Sequence, residues 1–113
     1  MHEMSLCESV LQILEQEAVK QGFTEVRAVW LEIGALSNVV PEAMRFSFDA
    51  VTHNSLAEGA VLHILPVPGQ GWCMSCDRQV AIKRRFDACP HCGHHPVRIT
   101  AGEEMRIKEL EVN

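Results

Sequence analysis

The 113-residue sequence predicts an α+β fold in which two helices pack on a small three-stranded sheet. Three observations support this fold class. Apolar residues recur at helical spacing near the start of the chain, three segments have the character of strands, and a cysteine-rich segment lies between the last two strands. The cysteine-rich segment has the composition of an inserted module. We therefore expect an α/β domain formed by residues 1–68 and 101–113, interrupted by a module over residues 69–100.

The first helix is predicted over residues 5–21. Ser5 is the expected N-cap and Glu8 would complete a capping box, while Gly22 would end the helix in a left-handed conformation. Cys7 follows Leu6, one of the apolar residues of this helix, and is expected to be a small buried residue. Residues at helical spacing define the predicted buried face: Leu6, Val10, Ile13 and Leu14.

The first strand and the second helix follow in order. Residues 25–33 alternate in the manner of a strand, and Gly34 would close it. A second helix is predicted to begin at Pro41, because proline is favoured at the first helical position. Phe46 falls outside the apolar face of this helix, which consists of Met44, Phe48 and Val51.

Two further strands complete the predicted sheet. The first covers residues 61–65 and should stop at Pro66, because proline cannot donate to a strand ladder. The second covers residues 105–112 near the C-terminus. Its apolar pattern slips by one position between Ile107 and Leu110, which suggests a β-bulge.

The composition favours a cytoplasmic protein. The N-terminal sequence lacks the basic and apolar regions of a secretory signal, and no apolar run approaches the roughly 20 residues that span a bilayer. We therefore expect no membrane association. Five cysteines in a reducing compartment are typical of metal ligands or free thiols, not of a disulfide framework.

The charge distribution argues against nucleic-acid binding. Residues 1–69 contain three basic and nine acidic side chains, whereas residues 70–95 contain four basic and two acidic ones. An acidic body is a poor partner for phosphates. One alternative is a zinc-ribbon module that binds nucleic acid through the basic residues near Phe86, which are Arg78, Lys83, Arg84 and Arg85. An exposed hairpin tip explains these basic residues more simply.

Four cysteines in the inserted segment predict a structural zinc site. They form two Cys-x-x-Cys pairs separated by 12 residues: Cys73, Cys76, Cys89 and Cys92. Each short gap lets one turn direct two thiolates at one ion, and four thiolates leave no open position for catalysis. We expect a hairpin over residues 77–88 to join the two pairs, with Gly93 supplying a positive φ. Redox motifs are the alternative, but neither pair opens a helix.

The amino terminus offers a second set of metal ligands. The Met1 amine, the His2 backbone nitrogen and the His2 imidazole can close two chelate rings. The Glu3 backbone nitrogen, the Glu3 carboxylate or another side chain can add a further ligand. Nitrogen-rich planar surroundings suit Ni(II) and Cu(II). Taken alone, this pattern does not separate a metal site from a solvated terminus. Among the histidines beside the second cysteine pair, His95 is kept open as an extra ligand.

Together these features resemble the HypA/HybF family of hydrogenase nickel-incorporation proteins over essentially the whole chain. The matching segments are the Met-His-Glu start, residues 29–37, residues 46–49 and the two cysteine pairs. The resemblance implies a nickel metallochaperone that inserts Ni(II) into the large subunit of [NiFe]-hydrogenase with a HypB-type GTPase. It also implies nickel ligands at Met1, His2 and Glu3, and in some relatives a histidine after the second cysteine pair.

The resemblance further implies a protein that is not an enzyme. The sequence contains no nucleophile–base arrangement and no phosphate-binding glycine loop. The expected partners are the GTPase and the hydrogenase large-subunit precursor. Homodimer formation and a role in urease maturation are left open.

Overall fold

The computed structural model describes residues 2–95 and 97–113. The elements are α1 (Glu3–Gln21), β1 (Val26–Gly34), α2 (Pro41–Thr52), β2 (Val61–Val67), β3 (Gln70–Cys73), β4 (Arg78–Ala81), β5 (Val97–Ala101) and β6 (Met105–Val112). They form two three-stranded sheets with the orders β2-β1-β6 and β4-β3-β5, which confirms the α+β class. In the described part of the chain, no helix is long and apolar enough to cross a membrane.

The chain divides into two compact units. The first unit comprises Met1–Leu31, Val39–Ile64 and Ile107–Asn113. The second unit comprises Glu32–Asn38 and Leu65–Arg106, and it contains all four paired cysteines. It is wider than the predicted module of residues 69–100. The assignment of nickel binding to residues 1–68 and 101–113, and of zinc binding to residues 69–100, stays a prediction.

Helix α1 begins at Glu3, two residues earlier than predicted, so the assignment of Ser5 as N-cap is wrong. His2 is the N-cap and makes no side-chain capping bond. The earlier start is possible because the Glu3 carboxylate is buried on the same helix face as the core residues Cys7, Val10 and Leu14. Ile13 is 46% exposed and lies outside this face, contrary to the prediction. Gly22 ends the helix with φ of 78°, as predicted.

Helix α2 begins at Pro41 as predicted, and it packs against α1. Met44 and Phe48 are buried, whereas Phe46 is 74% exposed, in agreement with the predicted face. Cys7 is fully buried, and its thiol contacts the Met44 carbonyl oxygen at 3.5 Å. Burial, followed by the charge of Glu3, raises the pKa of Cys7 to about 11, so this thiol stays protonated and packs as an apolar side chain.

The first sheet has β1 at its centre. Strand β2 continues through Pro66 to Val67, so the prediction that it stops at Pro66 is wrong. Proline is tolerated there because β2 is an edge strand, where one set of backbone N–H groups needs no partner. Strand β6 covers the predicted residues, and its burial alternation slips where Lys108 and Glu109 are both exposed.

The second sheet was not predicted. Strand β4 pairs antiparallel with β3, with Trp72 opposite Gln79 and Cys73 opposite Arg78. The expected hairpin over residues 77–88 is therefore wrong: the first cysteine pair is itself the turn between β3 and β4, and residues 82–88 contain no strand. A small core lies under this sheet and consists of Leu36, Cys73, Val80, Ile82 and Cys89.

Candidate metal sites

The two cysteine pairs fold into matching turns. The Asp77 N–H donates to the Cys73 carbonyl, and the Gly93 N–H donates to the Cys89 carbonyl, both at 2.8 Å. Asp77 and Gly93 both have positive φ, of 55° and 73°. Glycine and aspartate tolerate this conformation better than most residues do. The left-handed residue after each pair reverses the chain and leaves both thiols on the inner side of the turn.

The turns bring the four predicted thiols into one cluster. The sulfur atoms lie within 4.8 Å of one another, with Cys73 to Cys92 at 3.6 Å and Cys76 to Cys89 at 3.8 Å. Four thiolates at a Zn–S distance of about 2.3 Å in a tetrahedron have sulfur–sulfur separations of about 3.8 Å. The donor set therefore fits a zinc ion. Among the described residues, no other group of three or more metal-binding side chains is found.

Backbone amides stabilise negative charge on these sulfurs. The Cys76 N–H and the His91 N–H donate to the sulfurs of Cys73 and Cys89, each at 3.4 Å. Burial alone would raise the pKa of Cys89, but the N–H groups of Cys92 and His91 outweigh it and lower this pKa to about 6. Hydrogen bonding to the Cys92 thiol, followed by burial, raises the pKa of Cys76 to about 12. Of these two thiols, Cys89 thus ionises more readily, and a bound cation would displace the proton from Cys76.

The amino-terminal residues are placed by helix α1. His2 is exposed, has φ of −123° and ψ of 31°, and accepts the Leu6 N–H at 3.0 Å through its carbonyl. Met1 lies outside the described residues, so its part in the predicted nickel site has no structural account. The His2 imidazole is accessible from solvent. Its backbone is fixed by the first turn of the helix.

Glu3 is only 5% exposed, a burial that the sequence analysis missed. Its carboxylate accepts the Val40 N–H at 3.1 Å. Hydrogen bonding with the terminal amino group, then with the Val40 N–H and the N–H of Glu3 itself, lowers the pKa of this carboxyl to about 2. An acidic residue in the first turn of a helix was the available signal. The carboxylate is therefore already engaged within the fold, and a nickel role for Glu3 stays a prediction.

The predicted extra ligand, His95, lies in the second unit. It is exposed and lines a cavity of about 420 Å³. His91 and His94 are exposed too, and the His94 carbonyl accepts the Cys89 N–H at 3.1 Å, so the backbone at His94 supports the second turn. A nickel role for His95 stays a prediction.

The remaining histidines have ordinary structural roles. The His63 ring stacks on Trp30, with ring centroids 4.6 Å apart and planes 13° apart. The His53 Nδ1 lies 3.0 Å from a carboxylate oxygen of Glu58 at the surface. Neither belongs to a group of metal-binding side chains among the described residues.

Sequence comparisons identify close relatives of the chain. Residues 1–112 match the family model described as hydrogenase/urease nickel incorporation, metallochaperone, hypA. Hydrogenase maturation factor HypA of Rhodopseudomonas palustris (strain BisA53) is 58% identical over 113 residues, covering 100% of both chains. Hydrogenase maturation factor HypA of Azotobacter vinelandii is 57% identical over 112 residues, covering 99% of both chains.

Solved structures agree with this match. The solution structure of the Ni metallochaperone HypA from Helicobacter pylori superposes with a TM-score of 0.74 at 27% identity, covering 99% of this chain and 97% of that one. A second solution structure, of HypA protein, gives a TM-score of 0.69 at 28% identity, covering 100% and 97%. The chain therefore belongs to the HypA family of hydrogenase and urease nickel-incorporation metallochaperones.

Proposed function

We propose that this chain binds Ni(II) at its amino terminus and passes it to the large subunit of [NiFe]-hydrogenase, in concert with a HypB-type GTPase. In this proposal the zinc on the four cysteines is structural, and the chain is not an enzyme. The observation that carries the proposal is the placement of His2: an exposed imidazole on the N-cap of a helix whose first residue, Glu3, is anchored by its buried carboxylate.

The proposed nickel ligands are the Met1 amine, the His2 backbone nitrogen and imidazole, and the Glu3 backbone nitrogen. Amine and amide nitrogens close a five-membered ring with the metal, and amide nitrogen and imidazole close a six-membered one. Such a planar nitrogen set suits Ni(II). The anchored helix start restricts the backbone at His2 and Glu3 before the metal arrives, and this restriction lowers the entropy lost on binding.

An exposed site at a chain end suits a carrier. Its ligands can be displaced one at a time by the ligands of a receiving protein. The cysteine cluster suits retention of its metal, because four thiolates would complete a tetrahedral shell. Cys73 and Cys89 are buried, and Cys92 is the exposed member of the cluster. We therefore assign transport to the terminus and folding of the second unit to zinc.

The proposed partners follow from charge and from the family. Residues 1–69 carry a net charge of −6, which would steer them toward a basic surface on the GTPase. The hydrogenase large-subunit precursor is the proposed recipient. We place these events in the cytoplasm, and homodimer formation and urease maturation stay open.

The test is a nickel titration of three zinc-loaded proteins by calorimetry: wild type, His2→Ala and the double variant His94→Ala/His95→Ala. We expect the wild type and the double variant to bind one nickel ion per chain with similar affinity. His2→Ala should lose tight binding, because the imidazole is the one ligand that a side-chain change removes completely.

Zinc content and circular dichroism serve as controls in the same samples. His2 is exposed and makes no side-chain capping bond, so its replacement should leave both unchanged. Full nickel affinity in His2→Ala, combined with its loss in the double variant, would move the site to the second unit and refute the terminal site.

A further inference from the structure

Phe86 is the most exposed large apolar side chain among the described residues. Its side chain is 95% exposed, and its backbone has φ of 70°. A bulky aromatic residue is rarely found in this left-handed region, because its Cβ crowds the backbone. An exposed ring contributes nothing to the core that could offset this strain. A residue that is both strained and exposed suggests a role outside folding.

The backbone around Phe86 is held by its neighbours and not by the ring. The Asp87 carboxylate accepts the N–H groups of Lys83 and Arg84 at 3.2 and 3.0 Å. The Asp87 N–H donates to the Arg84 carbonyl at 3.2 Å. These bonds close a tight turn over residues 83–87, which we call the basic loop. The loop presents Phe86 in a fixed position.

Two of the three positive charges in the basic loop are available to a partner. Arg85 is engaged within the second unit, since its Nε donates to the Leu36 carbonyl at 2.9 Å and its guanidinium pairs with Glu103 at 2.7 Å. The Arg84 side chain is 87% exposed, and its Nε lies 3.5 Å from a carboxylate oxygen of Asp87. Lys83 is exposed as well. Both side chains precede Phe86 within the loop.

A cavity of about 420 Å³ adjoins the basic loop. Phe86 forms part of its wall, together with Val97 and Ile99 of strand β5. The carboxylates of Asp87 and Glu103 also line it. The cavity combines an apolar wall with a polar rim, and its volume is sufficient for one large side chain.

We propose that the basic loop and this cavity form a docking surface for an acidic segment of a partner protein that carries one large apolar side chain. The apolar side chain enters the cavity beside Phe86, and the acidic residues on either side face Lys83 and Arg84. Charge complementarity selects this class of partner, because the basic loop is positive in a chain whose net charge is −5. The proposal does not rest on the nickel ligands.

A polyanion fits this surface less well. Phosphates of a nucleic acid or of a lipid headgroup would approach Asp87 and Glu103, whose carboxylates line the same cavity. Residues 1–69, with a net charge of −6, would repel a long polyanion further. A short acidic segment carries fewer charges than a polyanion, and it needs only a few of them next to Lys83 and Arg84 while an uncharged side chain enters the cavity.

The experiment uses the zinc-loaded full chain, labelled with ¹⁵N, and three synthetic peptides of equal length. The first is acidic with a central leucine, the second has serine in place of the leucine, and the third has lysine in place of each acidic residue. We expect titration with the first peptide to change the amide chemical shifts of the basic loop and β5 alone, and these changes should saturate. The serine peptide should bind at least about tenfold more weakly, and the lysine peptide should not bind.

Variants separate docking from folding. Phe86→Asn keeps a residue that tolerates positive φ, so it should lose at least about tenfold in affinity without lowering the melting temperature. Phe46→Asn is the matched control, because Phe46 is 74% exposed on α2, outside the proposed surface. It should bind the acidic leucine peptide as the wild type does. Arg84→Gln should weaken binding by about threefold to tenfold and reduce its salt dependence.

Several results would overturn the proposal. One is no binding of the acidic leucine peptide, and another is unchanged binding by Phe86→Asn. Tighter binding of a single-stranded oligonucleotide or of anionic phospholipid vesicles to the basic loop would assign the surface to that class of ligand instead. A Phe86-dependent oligomer of the chain alone, seen by light scattering, would assign it to a second copy.

Discussion

The Glu3 carboxylate accepts a hydrogen bond from the Val40 backbone N–H at 3.1 Å, although 37 residues separate them in the chain. Glu3 is the first residue of α1, and Val40 is the N-cap of α2. The bond ties the starts of the two helices together. Because His2 directly precedes Glu3, the same bond holds the helix start next to which His2 lies.

Replacement of Glu3 should test this tie. Glu3→Ala removes the acceptor for the Val40 N–H and should lower the melting temperature by several degrees, whereas Glu3→Gln keeps a side-chain oxygen and should cost less. The exposed Glu8 of the same helix is the matched control, and Glu8→Ala should have little effect. Equal melting temperatures for wild type and Glu3→Ala would show that the bond does not stabilise the first unit.

The ionised form of Glu3 should also make stability depend on pH. The pKa of Glu3 is lowered from about 4.5 to about 2 in the folded chain. The contribution of ionised Glu3 to the free energy of unfolding is therefore complete above about pH 4.5 and is lost as pH falls through about 2. The difference in unfolding free energy between wild type and Glu3→Gln should therefore shrink between about pH 4.5 and pH 2. Denaturant titrations at several pH values measure it. A difference that stays constant over this range would contradict the lowered pKa.

Removal of one cysteine should unfold the zinc-binding part of the chain and leave α1 and α2 intact. Cys76→Ala and Cys89→Ala each leave three ligands for an ion that requires four, and metal binding supplies the folding free energy of such sites. Elemental analysis of the wild type should give one zinc ion per chain. Amide spectra of either variant should lose the dispersed signals of β3 and β4 and keep those of the helices.

Cys7→Ala is the control for the cysteine variants. Cys7 is buried in the first unit and lies outside the cysteine cluster. The zinc content of Cys7→Ala should therefore equal that of the wild type. A wild-type protein that contains no zinc after purification under reducing conditions would refute the zinc site.

An extension before Met1 should abolish nickel binding. It converts the terminal amine into an amide, which offers no basic lone pair to the metal. The same extension at the C-terminus should be harmless. Bound nickel should also be released as pH falls, because protons compete with the metal for nitrogen ligands. Nickel binding by the N-terminally extended chain at wild-type affinity would exclude the amine as a ligand.

Gly34 should tolerate no larger residue. A Cβ placed there would lie 2.0 Å from the carbonyl oxygen of Gly102, a backbone atom that cannot move aside locally. Gly34→Ala should therefore cost roughly 3 kcal/mol or more of unfolding free energy. Gly59→Ala is the control: it has φ of 77° but open space around it, so only the backbone penalty of about 1–2 kcal/mol applies. Similar losses for the two variants would contradict a close backbone contact at Gly34.

Periodic segments were predictable because their signal is local. Helix α2 begins at Pro41 as its sequence indicates, and strand β6 covers the predicted residues. The four cysteines were predicted to meet because two short turns around one ion leave few alternatives, and their sulfurs lie within 4.8 Å of one another. The start of α1 was missed because its stabilising contact, from Glu3 to Val40, connects distant parts of the chain.

The second sheet could not be predicted for a related reason. Strands β3 and β4 have four residues each, too few to show a clear alternation. Their pairing is imposed by the turn between Cys73 and Cys76, so the pattern of metal ligands determines the strand register. The nickel ligands are a different case, since neither periodicity nor spacing defines them, and their assignment still depends on the titration of the His2 variant.

The two tryptophans of the chain fall in different compact units. Trp30 lies in the first unit, stacked on His63, and Trp72 lies in the second, directly before Cys73. Each unit thus contains its own intrinsic fluorophore. Unfolding of the first unit should separate Trp30 from the His63 ring and change its emission, while loss of zinc should change the emission of Trp72. Single-tryptophan variants would therefore report the unfolding of each unit separately, without any added dye.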